Sequence, residues 1–258
     1  MSAKIKLTSP ALPSAWRKLS YDEIMTRPDG QLINNGRSCR VFRFVDGEDI
    51  CFLKRYNYRK IHWHHCWQKS QVRREYENLN RIKAANLACK TIEILAYGEQ
   101  RHNLCLNSSF LLSRAVDKGE SLSLFLSLNP YHPQRRTIII KLLQLGQAII
   151  KSGLAITDLF FRNLVIVPDS ATLYMLDVQR CDRNRRRARR KSYPQFWSNI
   201  LLFCTPEEQQ LAAEMLANLL PYSLKELNNK AQQFITKEKK RQASELEFIK
   251  NRGNFHHA

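Results

Sequence analysis

Segments with strand character and segments with helix character are segregated along this chain. Residues 39–45 and 50–56 are rich in β-branched and aromatic side chains and flank a short turn with glycine, so they are predicted to form a β-hairpin. A helix is predicted over 70–85, where apolar residues recur at helical spacing. Two further strands are predicted at 91–98 and 109–114. The first part of the chain is therefore expected to form a small sheet with one helix.

Helical patterns dominate the second half of the chain. A long apolar helix is predicted over 137–152, and Gly153 follows it as a residue suited to a left-handed helix terminus. Another helix is predicted to begin after Thr205, because a proline follows this capping hydroxyl and a glutamate stands three residues beyond it. A last helix is expected to start near Ser223 and to run through alternating charges toward Arg252.

A loop and a second hairpin are predicted among these helices. The loop covers 156–162, and the hairpin is formed by short strands at 164–167 and 173–177. A sheet with one helix, followed by mainly helical segments, indicates the α+β class. We therefore predict a small N-terminal sheet-plus-helix lobe over 1–114 and a mainly helical C-terminal lobe over 115–258.

The chain carries a large excess of positive charge. Its 42 lysine and arginine residues outnumber 23 aspartate and glutamate residues, and the formal net charge is +19. The positive electrostatic field of such a chain attracts nucleic acid, an anionic membrane and a phosphorylated glycan alike. The densest segment, Arg183–Lys191, contains six arginines and one lysine. We interpret it as a contact for an anionic membrane surface, with a solvated loop or a nucleic-acid patch as alternatives. Because no zinc-finger or RNA-binding signature accompanies it, nucleic acid is not the expected partner.

The sequence shows neither a membrane span nor a cysteine pattern typical of a metal site. No stretch approaches the roughly 20 apolar residues that cross a bilayer, and the N-terminus lacks the apolar run of a secretory signal, so we expect a cytoplasmic protein. The seven cysteines are odd in number and scattered. We therefore expect reduced, mostly buried thiols and no disulfide framework. The cluster His62–Trp67 provides only adjacent ligands, so an aromatic, basic loop touching lipid or nucleotide is favoured over a metal site.

Five polar residues stand where phosphoryl transfer needs them: Lys54, Glu75, Asp158, Asn163 and Asp177. That reaction requires cations at the phosphates, a metal held by carboxylate and amide oxygens, and a group that orients the attacking hydroxyl. Lys54, late on a strand, is expected to reach the phosphates of ATP, and Glu75 on the next helix to pair with its ammonium. Asp158 and Asn163 have the spacing of a kinase catalytic loop, in which the aspartate meets the acceptor hydroxyl. Asp177, at the end of the second hairpin, is expected to bind magnesium with Asn163.

Each of these residues has a simpler explanation when it is taken alone. Lys54 would be a strand-edge charge, and Glu75 the surface partner of a neighbouring basic residue. Asp158 and Asn163 would be turn formers. Their joint order on suitable elements favours the catalytic interpretation. A protein kinase remains an alternative, as does an inactive kinase-like module that binds nucleic acid or an anionic membrane.

Five segments carry a resemblance to a known family. They are FLKRY (52–56), RREYENLNRIKAANL (73–87), ILAYGE (94–99), ITDLFFRN (156–163) and LYMLDVQR (173–180). In these segments the chain resembles the lipopolysaccharide core kinases, the sugar kinases that phosphorylate heptose or 3-deoxy-manno-octulosonic acid (Kdo) in Gram-negative bacteria. The likeness extends over roughly residues 35–200.

The resemblance implies a reduced protein-kinase fold, ATP with Mg²⁺ as the donor, and a sugar hydroxyl of the lipopolysaccharide inner core as the acceptor. The family works at the cytoplasmic face of the inner membrane, which implies a peripheral membrane protein. The family's lysine, helix glutamate, catalytic aspartate, asparagine and metal-binding aspartate correspond to Lys54, Glu75, Asp158, Asn163 and Asp177.

The sequence departs from the protein-kinase pattern at three places. The segment before the first hairpin offers one glycine, Gly36, to cover the phosphates, where three are common. Ile156 and Thr157 precede Asp158 in place of histidine and arginine, so control by a phosphorylated activation loop is not expected. Val178 follows Asp177 in place of phenylalanine. These departures favour a small acceptor over a regulated protein kinase.

Overall fold

A computed structural model describes residues 2–36, 38–58 and 64–252 of the 258-residue chain. The strands, in chain order, are β1 (Ser2–Leu7), β2 (Gln31–Asn35), β3 (Cys39–Asp46), β4 (Asp49–Asn57), β5 (Lys90–Thr91), β6 (Ile94–His102), β7 (Cys105–Arg114), β8 (Glu120–Ser121), β9 (Ala155–Thr157), β10 (Leu164–Val167), β11 (Thr172–Met175) and β12 (Arg180–Asp182). The α-helices are α1 (Ser14–Arg17), α2 (Tyr21–Thr26), α3 (His64–Trp67), α4 (Gln71–Ala84), α5 (Leu122–Leu128), α6 (Arg135–Ser152), α7 (Arg185–Arg187), α8 (Tyr193–Phe203), α9 (Pro206–Leu216) and α10 (Leu224–Arg252).

The described residues within 1–120 and 165–180 form one compact unit. Its main sheet is antiparallel, with the strand order β1-β6-β7-β4-β3-β2. Strands β3 and β4 form the predicted hairpin, and α4 is the predicted helix that packs on β6 and β7. Alternate side chains of β4 enter the core, where Cys51 and Leu53 are fully buried. Lys54 directly follows Leu53, so its side chain faces the other side of the sheet.

The N-terminal segment of this unit adds elements that the sequence analysis did not anticipate. Strand β1 extends the sheet at β6, and β2 extends it at β3. Trp16 of α1 packs edge-on against Phe44 with ring centroids 5.0 Å apart and donates its indole N–H to Asp46 at 2.6 Å. These strands and helices are short and show little periodicity, so the sequence did not predict them. The sheet therefore has six strands, where four were predicted.

The described residues within 121–164 and 181–258 form a second unit, which is mainly helical. Helix α6 matches the predicted long apolar helix and ends at Gly153, whose φ of 66° is left-handed as expected. Helix α9 begins with the predicted capping box of Thr205 and Glu208. Helix α10 begins directly after Ser223. The α+β class, with a sheet followed by helices, is therefore confirmed, while the two-lobe division after residue 114 stays a prediction.

One expectation about the cysteines is wrong. Cys66 of α3 and Cys105 of β7 form a disulfide bond. The pairing has no sequence signature, because 39 residues separate the two cysteines and only the packing of α3 on β7 brings them together. Cys39, Cys51, Cys89, Cys181 and Cys204 are free thiols, as expected. Among the described residues, no helix combines the length and apolar character that a membrane span requires.

Candidate active site

Lys54 lies between two carboxylates in the first unit. Its Nζ atom donates to Oε1 of Glu75 at 2.8 Å and to Oδ1 of Asp177 at 3.1 Å. The Lys54 side chain is 14% exposed, that of Glu75 is fully buried and that of Asp177 is 38% exposed. Strand β4, helix α4 and the end of the β10–β11 hairpin thus bring together three residues that are up to 123 positions apart.

The local sequence explains how each of these three side chains is placed. Lys54 is paired with Val41 in the β3–β4 register, near the end of the hairpin away from its turn. Helix α4 starts at Gln71 because the Ser70 side chain accepts from the backbone N–H of Arg73 at 3.1 Å. Glu75 therefore lies in the second turn of α4, on the buried face that also carries Val72 and Leu79.

Mutual pairing stabilises the charged groups of this cluster. Burial alone would lower the pKa of Lys54, but the Glu75 and Asp177 carboxylates outweigh it and hold the pKa above its ordinary value. Burial raises the pKa of Glu75, and the Lys54 ammonium opposes that rise. Lys54 is therefore a fixed positive charge at neutral pH, directed by two anions.

The segment around Asp177 is held by two residues that the sequence analysis did not assign to the site. Gln179 donates its side-chain N–H to Oδ1 of Asp177 at 2.9 Å. Asn78 donates its side-chain N–H to the carbonyl of Val178 at 3.1 Å. Asn78 is buried and stands one helical turn after Glu75. Its position on the buried face of α4 was the only signal in the sequence that could have identified it.

Asp158 and Asn163 form a second group, in the second unit. The Asn163 side-chain N–H donates to the backbone carbonyl of Asp158 at 2.8 Å, so its amide oxygen is left for other ligands. Helix α8 supports this loop. Asn199 accepts from the backbone N–H of Phe161 at 3.0 Å, and Ser192 donates to the carbonyl of Ile156 at 2.8 Å. The loop is thereby fixed at both ends.

Asp158 and Asp177 both have left-handed backbone conformations. The φ angle is 63° at Asp158 and 54° at Asp177. An L-residue other than glycine adopts this region at some cost, although aspartate and asparagine tolerate it better than most. Such strain persists where surrounding bonds hold it and often occurs at functional sites.

The structure thus joins Lys54, Glu75 and Asp177 in one group and Asp158 and Asn163 in another. Gly36 lies just after β2, at the turn toward β3. A side chain there would approach the carbonyl oxygen of Cys39 to 3.0 Å, which leaves little room for a larger residue. This is the hairpin position expected for a phosphate-covering loop.

The oxygen donors of Asp177 and Asn163 suit magnesium. Mg²⁺ prefers oxygen ligands and is typically held by one or two carboxylates together with water and substrate phosphates. The described residues contain no group of three or more histidine, cysteine, aspartate and glutamate side chains that could hold a metal. The Asp177 carboxylate and the Asn163 amide oxygen are each a type of ligand that Mg²⁺ accepts alongside phosphate oxygens.

Two other segments, His62–Trp67 and Arg183–Lys191, were predicted from the sequence to contact binding partners. Within His62–Trp67, His62 and Trp63 lie outside the described residues, and Trp67 is 85% exposed. In the tract Arg183–Lys191, Arg187 pairs with Asp182, while Arg183 and Arg186 are exposed. The tract ends in a π-helical turn over Ala188–Ser192 that leads directly into α8.

Comparison with known proteins gives one family match and two structural likenesses. A model of the lipopolysaccharide kinase (Kdo/WaaP) family matches residues 25–198, which include all five candidate residues. The fold is similar to that of a solved structure described as "WaaP in complex with acyl carrier protein", with a TM-score of 0.61 and 15% identity over 90% of this chain and 99% of that chain. A likeness to the bifunctional kinase-methyltransferase WbdD has a TM-score of 0.45 and 18% identity over 77% of this chain and 48% of that chain. Comparison with curated protein sequences gives no match.

Proposed function

The chain belongs to the lipopolysaccharide kinase (Kdo/WaaP) family, and we propose that it transfers the γ-phosphoryl group of Mg-ATP to a heptose or Kdo hydroxyl of the lipopolysaccharide inner core. As a member of this family it is a kinase and takes part in lipopolysaccharide biosynthesis. The observation that carries the proposal is that the family match spans Lys54, Glu75, Asp158, Asn163 and Asp177. The buried ion pair of Lys54 and Glu75 adds support from geometry.

The role of Lys54 is to bind and direct the phosphates of ATP. Its ammonium is charged and is aimed by Glu75, which has no exposure to water. A cation held in advance stabilises developing negative charge without a cost of reorientation. Gly36 would allow the backbone of the β2–β3 turn to approach the phosphates.

Asp177 and Asn163 are the residues that would hold magnesium. When bound, the metal neutralises charge on the phosphate oxygens. Gln179 and Lys54 both donate to Oδ1 of Asp177 and so orient this carboxylate. Asn163 is oriented by its bond to the Asp158 carbonyl.

Asp158 is proposed to accept a hydrogen bond from the acceptor hydroxyl and to take its proton as the hydroxyl oxygen bonds to the γ-phosphorus, while the bond from that phosphorus to the β–γ bridging oxygen breaks and ADP leaves. The anchoring of the loop through Ser192 and Asn199 fixes the position of this carboxylate. Correct placement of a general base and acceptor accounts for a large part of catalysis in such reactions.

The exposed arginines of the tract Arg183–Lys191 are proposed to hold the chain at the cytoplasmic face of the inner membrane. Each basic residue near an anionic surface contributes about 1 kcal/mol, and salt screens the attraction. Co-sedimentation with phosphatidylglycerol vesicles tests this. Arg183→Glu with Arg186→Glu should lower the bound fraction, and binding equal to wild type would contradict the proposed contact.

The proposed reaction is tested by offering Mg-ATP with purified inner-core acceptor, a protein substrate and a nucleic acid in parallel. Mass spectrometry should show one added phosphate on the core acceptor alone. Phosphate on the protein would indicate a protein kinase. Salt-sensitive binding of nucleic acid with no transfer to any acceptor would indicate an inactive binding module.

A further inference from the structure

An open cleft of about 490 Å³ lies beside Asp158 within the second unit. It is called the basic cleft here, and its walls are the loop Asp158–Arg162, the tract residues Arg190 and Lys191, and the Gln233–Arg241 face of α10. Small-molecule sites have volumes of roughly 300–1,000 Å³. The basic cleft therefore has room for a sugar residue next to the proposed general base.

The side chains that line the basic cleft carry a net charge of +3. Five are positive and two are negative: Arg162, Arg190, Lys191, Lys237 and Arg241 against Asp158 and Glu238. Glu238 is already engaged, because it accepts from both Arg162 and Arg241. In the part of the chain that the structure describes, Arg190, Lys191 and Lys237 have no carboxylate partner. Three uncompensated cations thus converge on one space.

The wall of the basic cleft that Arg190 and Lys191 form is joined to the loop that carries Asp158 by a buried hydrogen bond. Arg190 and Lys191 belong to the π-helical turn, a rare conformation that is frequent at functional sites. The next residue, Ser192, is fully buried and donates to the carbonyl of Ile156, two positions before Asp158. The backbone that carries the two cations is therefore anchored to the loop that carries the proposed base.

The wall of the basic cleft that α10 forms is joined to the same loop by a separate ion pair, between Glu238 and Arg162. Glu238, 3% exposed, accepts from Arg162 of the catalytic loop and from Arg241 at 2.7 Å. Phe234, one turn before Glu238, is buried, and Asn228 near the start of α10 accepts from the indole N–H of Trp197 at 2.6 Å. Lys237 stands next to Glu238 and is exposed at the cleft.

We propose that the basic cleft binds an anionic group of the acceptor, a sugar carboxylate or a sugar phosphate, through Lys237, Arg190 and Lys191. These residues then determine specificity by favouring an acidic sugar whose hydroxyl is presented to Asp158. The inference rests on the proposed function, because it assigns the acceptor side of the same reaction. Arg190 and Lys191 lie within residues 25–198, whereas helix α10 lies beyond them, so the contribution of Lys237 is assigned to a part of the chain that the family match does not describe.

Steady-state kinetics of the full chain with Mg-ATP and purified inner-core acceptor test the inference. Lys237→Ala should raise KM for the acceptor about five- to tenfold, with kcat and KM for ATP unchanged, because a charged contact to the bound acceptor is lost. Lys237→Arg should restore most of the affinity. Lys239→Ala is the matched control, since this exposed lysine lies on the opposite side of α10 and outside the cleft. Arg190→Ala should repeat the effect from the other wall.

Neutralised acceptors distinguish the two sources of the anion. If a carboxylate is bound, methyl esterification of the acceptor should abolish the difference in KM between wild type and Lys237→Ala. If a phosphate is bound, phosphatase treatment should abolish it instead.

The inference is overturned if Lys237→Ala has the wild-type KM for the acceptor, if the difference persists with both neutralised acceptors, or if KM for ATP rises in its place. Absence of transfer by the wild-type chain to any core acceptor is a separate result. It would refute the proposed function and the inference with it.

Discussion

Lys54 holds its charge in surroundings that would otherwise oppose it. Burial costs an isolated ammonium several kcal/mol, and here two carboxylates compensate. Glu75 depends on Lys54 more strongly, because its side chain has no contact with water. The pair is therefore needed for stability as well as for the proposed grip on the phosphates, and the two roles can be separated by mutation.

Lys54→Met should lower the free energy of unfolding by about 3 kcal/mol, because it leaves the Glu75 carboxylate buried without a partner. Lys54→Met combined with Glu75→Gln should recover most of that stability but no phosphate transfer. Urea denaturation and a transfer assay measure the two effects.

The exposed pair of Lys69 and Glu77 provides the matched control, since it joins α4 to the preceding segment in water. The same two substitutions there should change stability by less than about 1 kcal/mol. A double variant at 54 and 75 that transfers phosphate normally would contradict the proposed role of Lys54.

Asp177→Asn should raise the magnesium concentration for half-maximal transfer about tenfold or more, because it replaces the only carboxylate proposed to hold the metal. Asparagine tolerates the left-handed backbone at this position, so the thermal melt should fall only slightly, through the loss of the partly exposed ion pair with Lys54. Asp169→Asn, in the exposed turn between β10 and β11, serves as the control. An unaltered magnesium dependence in Asp177→Asn would remove this residue from the metal site.

At the scale of elements, strongly patterned segments were predictable and weakly patterned ones were not. Periodicity, turn residues and capping residues predicted the β3–β4 hairpin and the helices α4, α6 and α9. Helix α8 was not predicted because Tyr193 and the seven residues after it are all buried. The segment therefore lacks the polar face by which an amphipathic helix is recognised in a sequence. The tract before it was correctly seen as basic, but its π-helical turn has no sequence signal.

The residues of the candidate site also differ in whether the sequence could predict them. Lys54, Glu75, Asp158, Asn163 and Asp177 were predicted because their chemistry and order are typical of phosphoryl transfer, and their roles stay a prediction. Asn78 and Gln179 were missed because their function is to hold other residues, and this depends on tertiary contacts. The disulfide of Cys66 and Cys105 was missed for the same reason.

Glu238→Gln should loosen the α10 wall of the basic cleft. It removes the charge that pairs with Arg162 and Arg241, and the loss from a buried position should lower the free energy of unfolding by about 2–3 kcal/mol. KM for the acceptor should rise with it, since Lys237 is carried on the same helix. Thermal denaturation and acceptor kinetics measure both effects. Glu214→Gln, at an exposed position of α9, should leave both unchanged, whereas a wild-type KM in Glu238→Gln would contradict the positioning of Lys237 by Glu238.

At the scale of the whole molecule, the net charge of +19 has two proposed uses. Exposed arginines of the tract Arg183–Lys191 face an anionic membrane surface, and the cations of the basic cleft face the acceptor. Both attract negative charge, and because Arg190, Lys191 and Lys237 are also exposed, salt should weaken both contacts. Composition alone predicted an anionic partner, and motifs were needed to favour a phosphorylated glycolipid over nucleic acid.

The most direct test of the account measures transfer of phosphate from ATP to purified inner-core acceptor by wild type, Asp158→Asn and Asp169→Asn. Asn at 158 keeps the left-handed backbone and the loop's bonds but cannot take a proton, so transfer should fall at least about 100-fold with an unchanged melt. Asp169→Asn should behave as wild type. Transfer by Asp158→Asn within a few-fold of wild type would contradict the central claim that this loop performs the reaction.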